Sequence, residues 1–265
     1  MRPPGPAHRS RRLTRGEQHD APDTHGQTRG RRAAARRRTD PPPPAARGGH
    51  AGAGLALGTG AATAAPPTLR KGSKGSSVTS LQKKLTRLEY WCGTPDGSFG
   101  HVTQQAVFAL PKAAGLGRDG VVGAKTWAAL DKGTQPRRRI TTGTGFEVDL
   151  ARQLLIGTSG GRLAIILNTS TGSGERYYSG GRWKRATTPR GDFRMYSLYS
   201  RGWQDGPLGR MYKPGYYDRG WAIHGSNSIP TYPASHGCAR ISVSASERMW
   251  SGGFWFRKGR RVLVY

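Results

Sequence analysis

Two apolar stripes at helical spacing lie in the first half of the chain. Their members repeat at intervals of three or four residues: Val78, Leu81, Leu85 and Leu88, then Val102, Ala106, Val107 and Leu110. A shorter apolar segment ends in Trp127 and Leu130. Because this spacing places apolar side chains on one face of a helix, the pattern predicts three short helices in a small unit over residues 66–132.

The connections between these segments repeat one motif. Both Asp96-Gly97-Ser98-Phe99-Gly100 and Asp119-Gly120-Val121-Val122-Gly123 read D-G-x-x-G. Glycine tolerates the positive φ that tight turns require, and aspartate favours turns through local hydrogen bonds. The motif therefore predicts a similar turn before the second and the third helix.

After a basic linker over residues 133–145, the apolar period changes to two. Phe146, Val148 and Leu150 alternate with polar residues, as on a half-buried strand. Apolar runs at 153–156 and 163–167 flank Ser159-Gly160-Gly161, which predicts a hairpin. The closing run, residues 261–265, predicts a final strand. Residues 146–265 therefore form a β-rich unit, and the fold class is α+β with several domains.

One convincing helix appears in this second unit. Ser244 and Glu247 have the spacing of a capping box, in which each side chain satisfies the free backbone N–H of the other residue. Trp250 would then lie on the buried face of the helix.

Residues 1–65 have a different composition. They contain no aromatic residue, Ile or Val, and they hold 12 arginines against four acids. Such a segment cannot bury enough apolar surface to offset its ordering entropy, so disorder is predicted. Its basic region, Ala/Gly-rich stretch and Ala62-Thr63-Ala64 follow the order of an export signal, but the basic region is too long. A basic tail, an atypical signal and a misassigned start site all remain open.

Length and composition exclude several classes of protein. The 265 residues contain no apolar run long enough for a transmembrane helix. Two cysteines exclude a disulfide-dense scaffold and a four-cysteine zinc site. The net charge of +28 would attract nucleic acids, but no helix-turn-helix, zinc-finger or RNA-binding signature accompanies it. We therefore expect no specific nucleic-acid partner.

The candidate chemistry lies around Cys238, which shares one stretch with His224 and His236. A thiol is nucleophilic as the thiolate, and a nearby imidazole can accept its proton. Arg240 could hold a carboxylate, and Gly237 lets backbone N–H groups approach an oxyanion. The same residues also fit a structural cysteine and histidine, or a His/His/Cys zinc site without a clear fourth ligand.

Several motifs in residues 68–131 resemble the small three-helix peptidoglycan-binding domain. They are Leu69-Arg70-Lys71-Gly72, Val78-x-x-Leu81-Gln82, Thr103-x-x-Ala106-Val107, the two D-G-x-x-G turns and Thr126-Trp127. Glu89 stands where the family usually has glycine, at a helix end that favours a left-handed residue. Pro111 is expected to kink or end the second helix. The resemblance implies peptidoglycan binding, and a helical spacer without affinity is the alternative.

Ser235-His236-Gly237-Cys238-x-Arg240, with His224-Gly225 upstream, resembles the active-site signature of the L,D-transpeptidases, the YkuD-like catalytic domain. Supporting motifs are Thr188-Pro189-x-Gly191, Gly206-Pro207-Leu208-Gly209, Tyr217 near Gly220, and the Val-Leu-Val-Tyr end. The resemblance covers residues 146–265. It implies a mixed β-sandwich that uses neither a metal nor an organic cofactor.

The resemblance also implies roles for individual residues. Cys238 would be the nucleophile and His224 the proton acceptor and donor, with its ring oriented by the Gly225 carbonyl. The N–H groups of Gly237 and Cys238 would form the oxyanion hole. The residues that would bind substrate or shape the pocket are Ser235, His236, Arg240 and Tyr217. The cluster of Tyr216, Tyr217, Trp221 and Tyr232 is either an aromatic lid or core, and core is favoured.

The implied reaction is acyl transfer between peptidoglycan stem peptides. The thiolate attacks the third residue of a tetrapeptide stem, releases D-alanine, and passes the acyl group to a neighbouring amine as a 3→3 cross-link. An L,D-carboxypeptidase-type hydrolase and a non-catalytic wall-binding protein are the alternatives. The basic surface also suits other polyanions of a cell wall, and an exported, wall-located protein is expected.

Two details accompany this interpretation. Only ten residues separate His224 from Ser235, which is short for the family and alters the pocket wall. Cys92 is expected to be buried or free, because a bridge to Cys238 would silence the nucleophile.

Overall fold

The computed structural model describes residues 65–251 and 255–265. The predictions of disorder and of an export signal fall on residues 1–64 and so lie outside this part. The helices are α1 (Ser76–Arg87), α2 (His101–Ala114), α3 (Ala124–Asp131) and α4 (Val243–Trp250). Within the described ranges, none of them combines the length and the apolar character that crossing a bilayer requires.

The two D-G-x-x-G motifs form matching turns, as predicted. The Asp96 carboxylate accepts a hydrogen bond from the Ser98 N–H, and Asp119 accepts one from the Val121 N–H, both at 2.9 Å. The glycine after each aspartate has a φ near 76°. Each motif ends on the glycine that begins the next helix, α2 or α3. The three-helix prediction is confirmed, and α2 and α3 each begin directly after one of these turns.

The structure agrees with the expectation for Glu89 but not with the expectation that α2 ends at Pro111. Glu89 adopts a left-handed φ of 63°, as predicted for the position where glycine is usual. The expectation that Pro111 could end α2 is wrong, since the helix continues to Ala114 and is capped by Gly115 at φ 69°. Pro111 lies in the last turn of the helix, and its carbonyl accepts the Leu116 N–H at 2.9 Å beyond the helix end.

The described chain also contains twelve strands. They are β1 (Gly145–Asp149), β2 (Leu154–Ser159), β3 (Arg162–Asn168), β4 (Arg176–Ser179), β5 (Arg182–Arg185), β6 (Gly191–Arg194), β7 (Ser197–Leu198), β8 (Trp203–Gln204), β9 (Met211–Asp218), β10 (Trp221–Ser226), β11 (Ala239–Ser242) and β12 (Arg261–Val264). The predicted hairpin is β2–β3, and the predicted final strand is β12.

The strands form two main sheets and a separate hairpin. The first sheet has the order β3-β2-β1-β12-β6, and the second has the order β11-β10-β9-β7, with β8 also paired to β9. Strands β4 and β5 pair only with each other. An apolar core that contains Phe146, Leu155, Ile223, Ile241 and Val262 joins residues of both main sheets. The second unit is therefore a mixed β-sandwich, as the resemblance implied.

Strand β1 departs from the half-buried prediction, because all five of its residues are buried. The polar side of the strand is covered by the segment before it. The Glu147 carboxylate accepts backbone N–H groups from Arg139 and Ile140 at 2.6–2.9 Å, and it also accepts the Tyr265 hydroxyl. A buried carboxylate with this many donors is satisfied, which an alternating sequence pattern alone cannot indicate.

The helical unit, residues 66–132, packs on the outer face of the first sheet. Its core, which includes Leu81 and Leu85, is continuous with Leu154, Ile156 and Ile166 of β2 and β3. The described chain thus has two apolar cores, and the first is shared between the helices and the sheet.

Helix α4 begins earlier than the capping-box prediction placed it. The cap is Ser242, whose hydroxyl accepts the Ala245 N–H at 3.1 Å, because β11 runs directly into the helix. Glu247 instead accepts hydrogen bonds from the Tyr212 hydroxyl and the Lys213 ammonium. Met249 is fully buried, whereas Trp250 is half-buried and packs edge-on against Phe256.

Candidate active site

Strands β10 and β11 bring the candidate base and nucleophile together. They pair in parallel, with Ile223 beside Ala239 and His224 beside Arg240. Cys238 directly precedes β11, two residues before Arg240, so the alternation of an extended chain turns both to the same side. His224 and Cys238 are 14 positions apart in the sequence, but in the fold they lie on neighbouring segments, only two residues out of register.

His224 is held in one orientation by the backbone. Its ring is 4% exposed, and Nδ1 lies 2.9 Å from the Gly225 carbonyl oxygen. A carbonyl oxygen only accepts, so Nδ1 carries the proton and Nε2 keeps the free lone pair. Burial lowers the pKa of His224 to about 4, against the Gly225 contact that raises it, and the charge of Arg240 lowers it further. The imidazole is therefore neutral and basic at Nε2 near pH 7.

Gly225 leaves no room for a side chain. A Cβ there would lie 2.9 Å from the Cβ of Ser246 and 3.0 Å from that of Tyr212. Glycine at this position therefore lets β10 approach β9 and α4 closely enough to fix the carbonyl that orients His224.

Cys238 is half-buried, and its Sγ lies 3.7 Å from the Gly220 carbonyl oxygen. Burial raises the pKa of the Cys238 thiol, while a backbone hydrogen bond from Ala222 and the charge of Arg240 act in the opposite direction. The resting pair is thus a neutral thiol and a neutral imidazole, and a proton must move from one to the other during reaction.

Ser235 holds the turn that presents Cys238. Its hydroxyl donates to the Cys238 carbonyl at 2.6 Å and accepts the Gly237 N–H at 2.9 Å. The Gly237 N–H, expected in the oxyanion hole, therefore already has an acceptor in this structure. Thr188 also stabilises this turn, since its hydroxyl donates to the Gly237 carbonyl at 2.7 Å.

Comparison with known proteins follows the same division of the chain. A family model described as the L,D-transpeptidase catalytic domain matches residues 143–262, and one described as a putative peptidoglycan binding domain matches residues 74–130. A crystal structure of an L,D-transpeptidase (residues 123–326) from Xylanimonas cellulosilytica is 48% identical in sequence, with a TM-score of 0.73. The match covers 76% of this chain and 98% of the Xylanimonas chain. The chain belongs to the L,D-transpeptidase family.

Two further relatives match only part of the chain. An N-acetylmuramoyl-L-alanine amidase, CwlL of Bacillus licheniformis, is 44% identical over 64 residues, which is 23% of this chain and 18% of the amidase. An uncharacterized protein of Kitasatospora aureofaciens is 40% identical over 75 residues, which is 26% of this chain and 64% of that protein. The chain thus spans less than two thirds of either relative.

The expected substrate contacts of this L,D-transpeptidase differ in accessibility. His236 is exposed, and its ring meets Tyr177 of β4 edge-on, with the ring centroids 4.8 Å apart. Arg240 is half-buried, and its charge acts on both Cys238 and His224. Ser235 is buried beneath the turn. These placements leave His236 and Arg240 as the side chains open to a ligand.

Tyr217 lies in the core, against the ring of Phe193 at 5.5 Å, and is 3% exposed. It carries the one buried side-chain oxygen in the described chain that has no hydrogen-bond partner. Burial raises the pKa of this hydroxyl, and Cys238 raises it further. Direct contact between Tyr217 and a substrate, as the resemblance implied, would require the site to open.

The aromatic cluster divides between core and surface. Tyr217 is core, whereas Tyr216 and Trp221 are half-buried and donate hydrogen bonds to Gln204 and to the Thr187 carbonyl. The core expectation is wrong for Tyr232, which is 62% exposed, because its loop presents the backbone inward: the Tyr232 carbonyl accepts the Ser170 hydroxyl at 2.8 Å.

The zinc alternative finds no support in the geometry. Within residues 65–251 and 255–265, no three His, Cys, Asp or Glu side chains come together as metal ligands would. Cys92 is a free, buried thiol in the helical unit, as expected, and its Sγ donates to the Gln82 carbonyl at 3.5 Å.

The contact between Thr188 and the Gly237 carbonyl was not predicted from the sequence, although Thr188 belongs to the Thr188-Pro189-x-Gly191 motif. Lys112 and Arg118 of the helical unit were not singled out either, and both contact the segments that surround the site. No local pattern marks them, because their partners lie more than 40 residues away along the chain.

Replacing Gly237 with alanine is expected to lower turnover at least tenfold and the free energy of unfolding by about 1–3 kcal/mol. Gly237 has a φ of 138°, and a Cβ would lie 2.7 Å from the Thr187 carbonyl oxygen and closer still to the Trp221 indole nitrogen. Thermal melting and turnover assays would measure both effects. Gly117→Ala is the matched control, since a Cβ there meets open space. Normal turnover in the Gly237 variant would contradict this account of the turn.

Proposed function

We propose that this chain is a cysteine-dependent peptidoglycan L,D-transpeptidase that forms 3→3 cross-links. The observation that carries the proposal is the placement of His224 on β10 and of Cys238 directly before the paired strand β11, with His224 Nδ1 bound to the Gly225 carbonyl. A buried base with its lone pair free, beside a half-exposed thiol, is the arrangement that nucleophilic acyl transfer requires.

The first half-reaction would form a thioester. His224 Nε2 takes the proton from Cys238 Sγ as the sulfur attacks the carbonyl carbon of the third stem residue. The tetrahedral intermediate then collapses, the bond to the terminal D-alanine breaks, and the leaving amine takes the proton from His224. Because the thiol and the imidazole are both neutral before the reaction begins, the resting enzyme holds no buried charge at this pair.

The second half-reaction would restore the thiol. An amine of a neighbouring stem gives a proton to His224 and attacks the thioester carbonyl. The carbon–sulfur bond breaks, and Cys238 recovers the proton. The oxyanion of each step would be held by the Cys238 N–H, joined by the Gly237 N–H when Ser235 Oγ turns away from it.

The substrate would be recognised through its carboxylates and its polymer. Arg240 beside the thiol suits a carboxylate of the donor stem. The helical unit, which matches a putative peptidoglycan binding domain, would raise the local concentration of wall substrate. With a net charge of +28, the chain also suits retention among wall polyanions, which supports a location in the cell wall.

Product mass spectrometry tests the proposal. The full chain is incubated with a disaccharide-tetrapeptide from a cell wall, with Cys238→Ala in parallel. A cross-linked dimer lacking one D-alanine is expected from the wild type alone. A tripeptide product without dimer would show that the enzyme hydrolyses the thioester, and it would contradict the proposed transfer. Absence of any product, with the protein still pelleting with sacculi, would leave a wall-binding protein and overturn the catalytic proposal.

A further inference from the structure

The helical unit meets the catalytic domain through a buried lysine as well as through apolar packing. Lys112 of α2 is 2% exposed. Its ammonium donates to the carbonyls of Gln153 and Thr169 at 2.8 and 3.1 Å, and to the side-chain oxygen of Asn168. All three of its donors therefore have acceptors in the catalytic domain.

The segment that Lys112 holds, residues 168–171, lies directly against the active-site strands. Ser170 and Arg240 exchange backbone hydrogen bonds at 3.0 and 3.2 Å, and the Thr169 hydroxyl donates to the Arg240 carbonyl at 2.7 Å. The Thr171 carbonyl accepts the Ser235 N–H at 2.8 Å. The same short segment thus connects Lys112 to both ends of the turn that contains Cys238.

A second connection reaches the short loop over residues 227–234, which links His224 to Ser235. Arg118, which follows α2, donates to the Thr231 carbonyl at 3.0 Å. Asn168 donates to the Ile229 carbonyl at 3.1 Å and to the Gln105 side chain of α2 at 2.7 Å. The loop contains no helix or strand, and side chains from elsewhere in the chain hold the carbonyls of Ile229 and Thr231.

A tether that only concentrates substrate needs none of these contacts. Burying an ammonium group is costly unless every donor is satisfied, and an apolar interface would attach the helices at lower cost. The polar contacts instead converge on the segment and the loop that border Cys238, His224 and Arg240.

We propose that Lys112 and Arg118 are positioning residues through which the helical unit sets the geometry of the active site. The inference rests on the proposed transpeptidase function, but the claim that Lys112 and Arg118 order the active-site segments can be tested without any turnover. It implies that catalysis on a small soluble stem peptide, which needs no wall binding, still depends on these two residues.

The test combines hydrogen exchange with kinetics on the full chain. Arg118→Ala removes one hydrogen bond from a half-exposed residue, and Arg118→Lys is the conservative rescue. Exchange over residues 227–240 is expected to rise severalfold in Arg118→Ala. Its kcat on a soluble disaccharide-tetrapeptide is expected to fall about 5- to 10-fold, the equivalent of one hydrogen bond. Lys112→Met is expected to lower kcat about 100-fold. Pelleting with sacculi should not change.

Matched controls come from exposed residues of α1, as Lys83→Met and Arg87→Ala. Exchange over residues 227–240 that equals the wild type in both test variants would overturn the inference. A uniform rise in exchange across the chain would overturn it equally, since that would indicate a general folding role. If the wild type shows no turnover, the proposed function fails, and the exchange data still decide the positioning role.

Discussion

Replacing Cys238 with alanine is expected to lower turnover of a disaccharide-tetrapeptide by at least about 10⁴-fold. The substitution removes the sulfur that would form the thioester in the proposed reaction, so the remaining site would bind substrate without a covalent route. Because Cys238 is half-buried and its turn is held by the Ser235 hydroxyl and the backbone, the fold should persist. Mass spectrometry of the products, circular dichroism and pelleting with sacculi would measure the three quantities.

Cys92→Ala is the control for this substitution. Cys92 is buried in the helical unit, and burial raises the pKa of its thiol, so it is a poor nucleophile. The control should lose some stability and keep its turnover. Retained turnover in Cys238→Ala would contradict the assignment of the nucleophile. Loss of wall binding together with activity would contradict a separate binding function for the helical unit.

Local patterns predicted the four helices and the strands β1, β2, β3 and β12, because the causes of these elements are local. Glycine at the turns, the apolar stripe of α1 and the apolar run of β12 each act over a few residues. The candidate site was also predictable, since His224 and Cys238 lie within one short stretch and carry recognisable chemistry.

Other features depend on contacts between distant parts of the chain. Burial of Glu147 follows from donors on the preceding segment and from Tyr265, and the contacts of Lys112 lie 41 to 57 positions away. The acceptor of the Gly237 N–H is only two residues away, but this contact depends on the rotamer of Ser235. A sequence pattern carries no information on such partners, so the coupling between the helical unit and the active site became visible only in three dimensions.

Replacing His224 with glutamine is expected to lower turnover about 10²- to 10⁴-fold and to flatten the dependence of stability on pH. The pKa of His224 is about 4 in the folded protein, against an ordinary value of 6.5. Between these values the unfolded chain binds more protons than the folded one, so the free energy of unfolding falls as the pH drops from 6.5 to 4. The shift corresponds to about 3 kcal/mol, which the wild type should lose and the variant should not.

Urea unfolding at pH 7 and at pH 4 measures this difference, because glutamine fills a similar volume and does not titrate. His101→Gln is the matched control: His101 is exposed on α2, and its substitution should leave turnover unchanged. Equal pH slopes in the wild type and the His224 variant would contradict a neutral, buried imidazole. The alkylation rate of Cys238 provides a second check. With a neutral pair it should rise steadily with pH, whereas a plateau between pH 5 and 7 would indicate a preformed thiolate–imidazolium pair and a different first step.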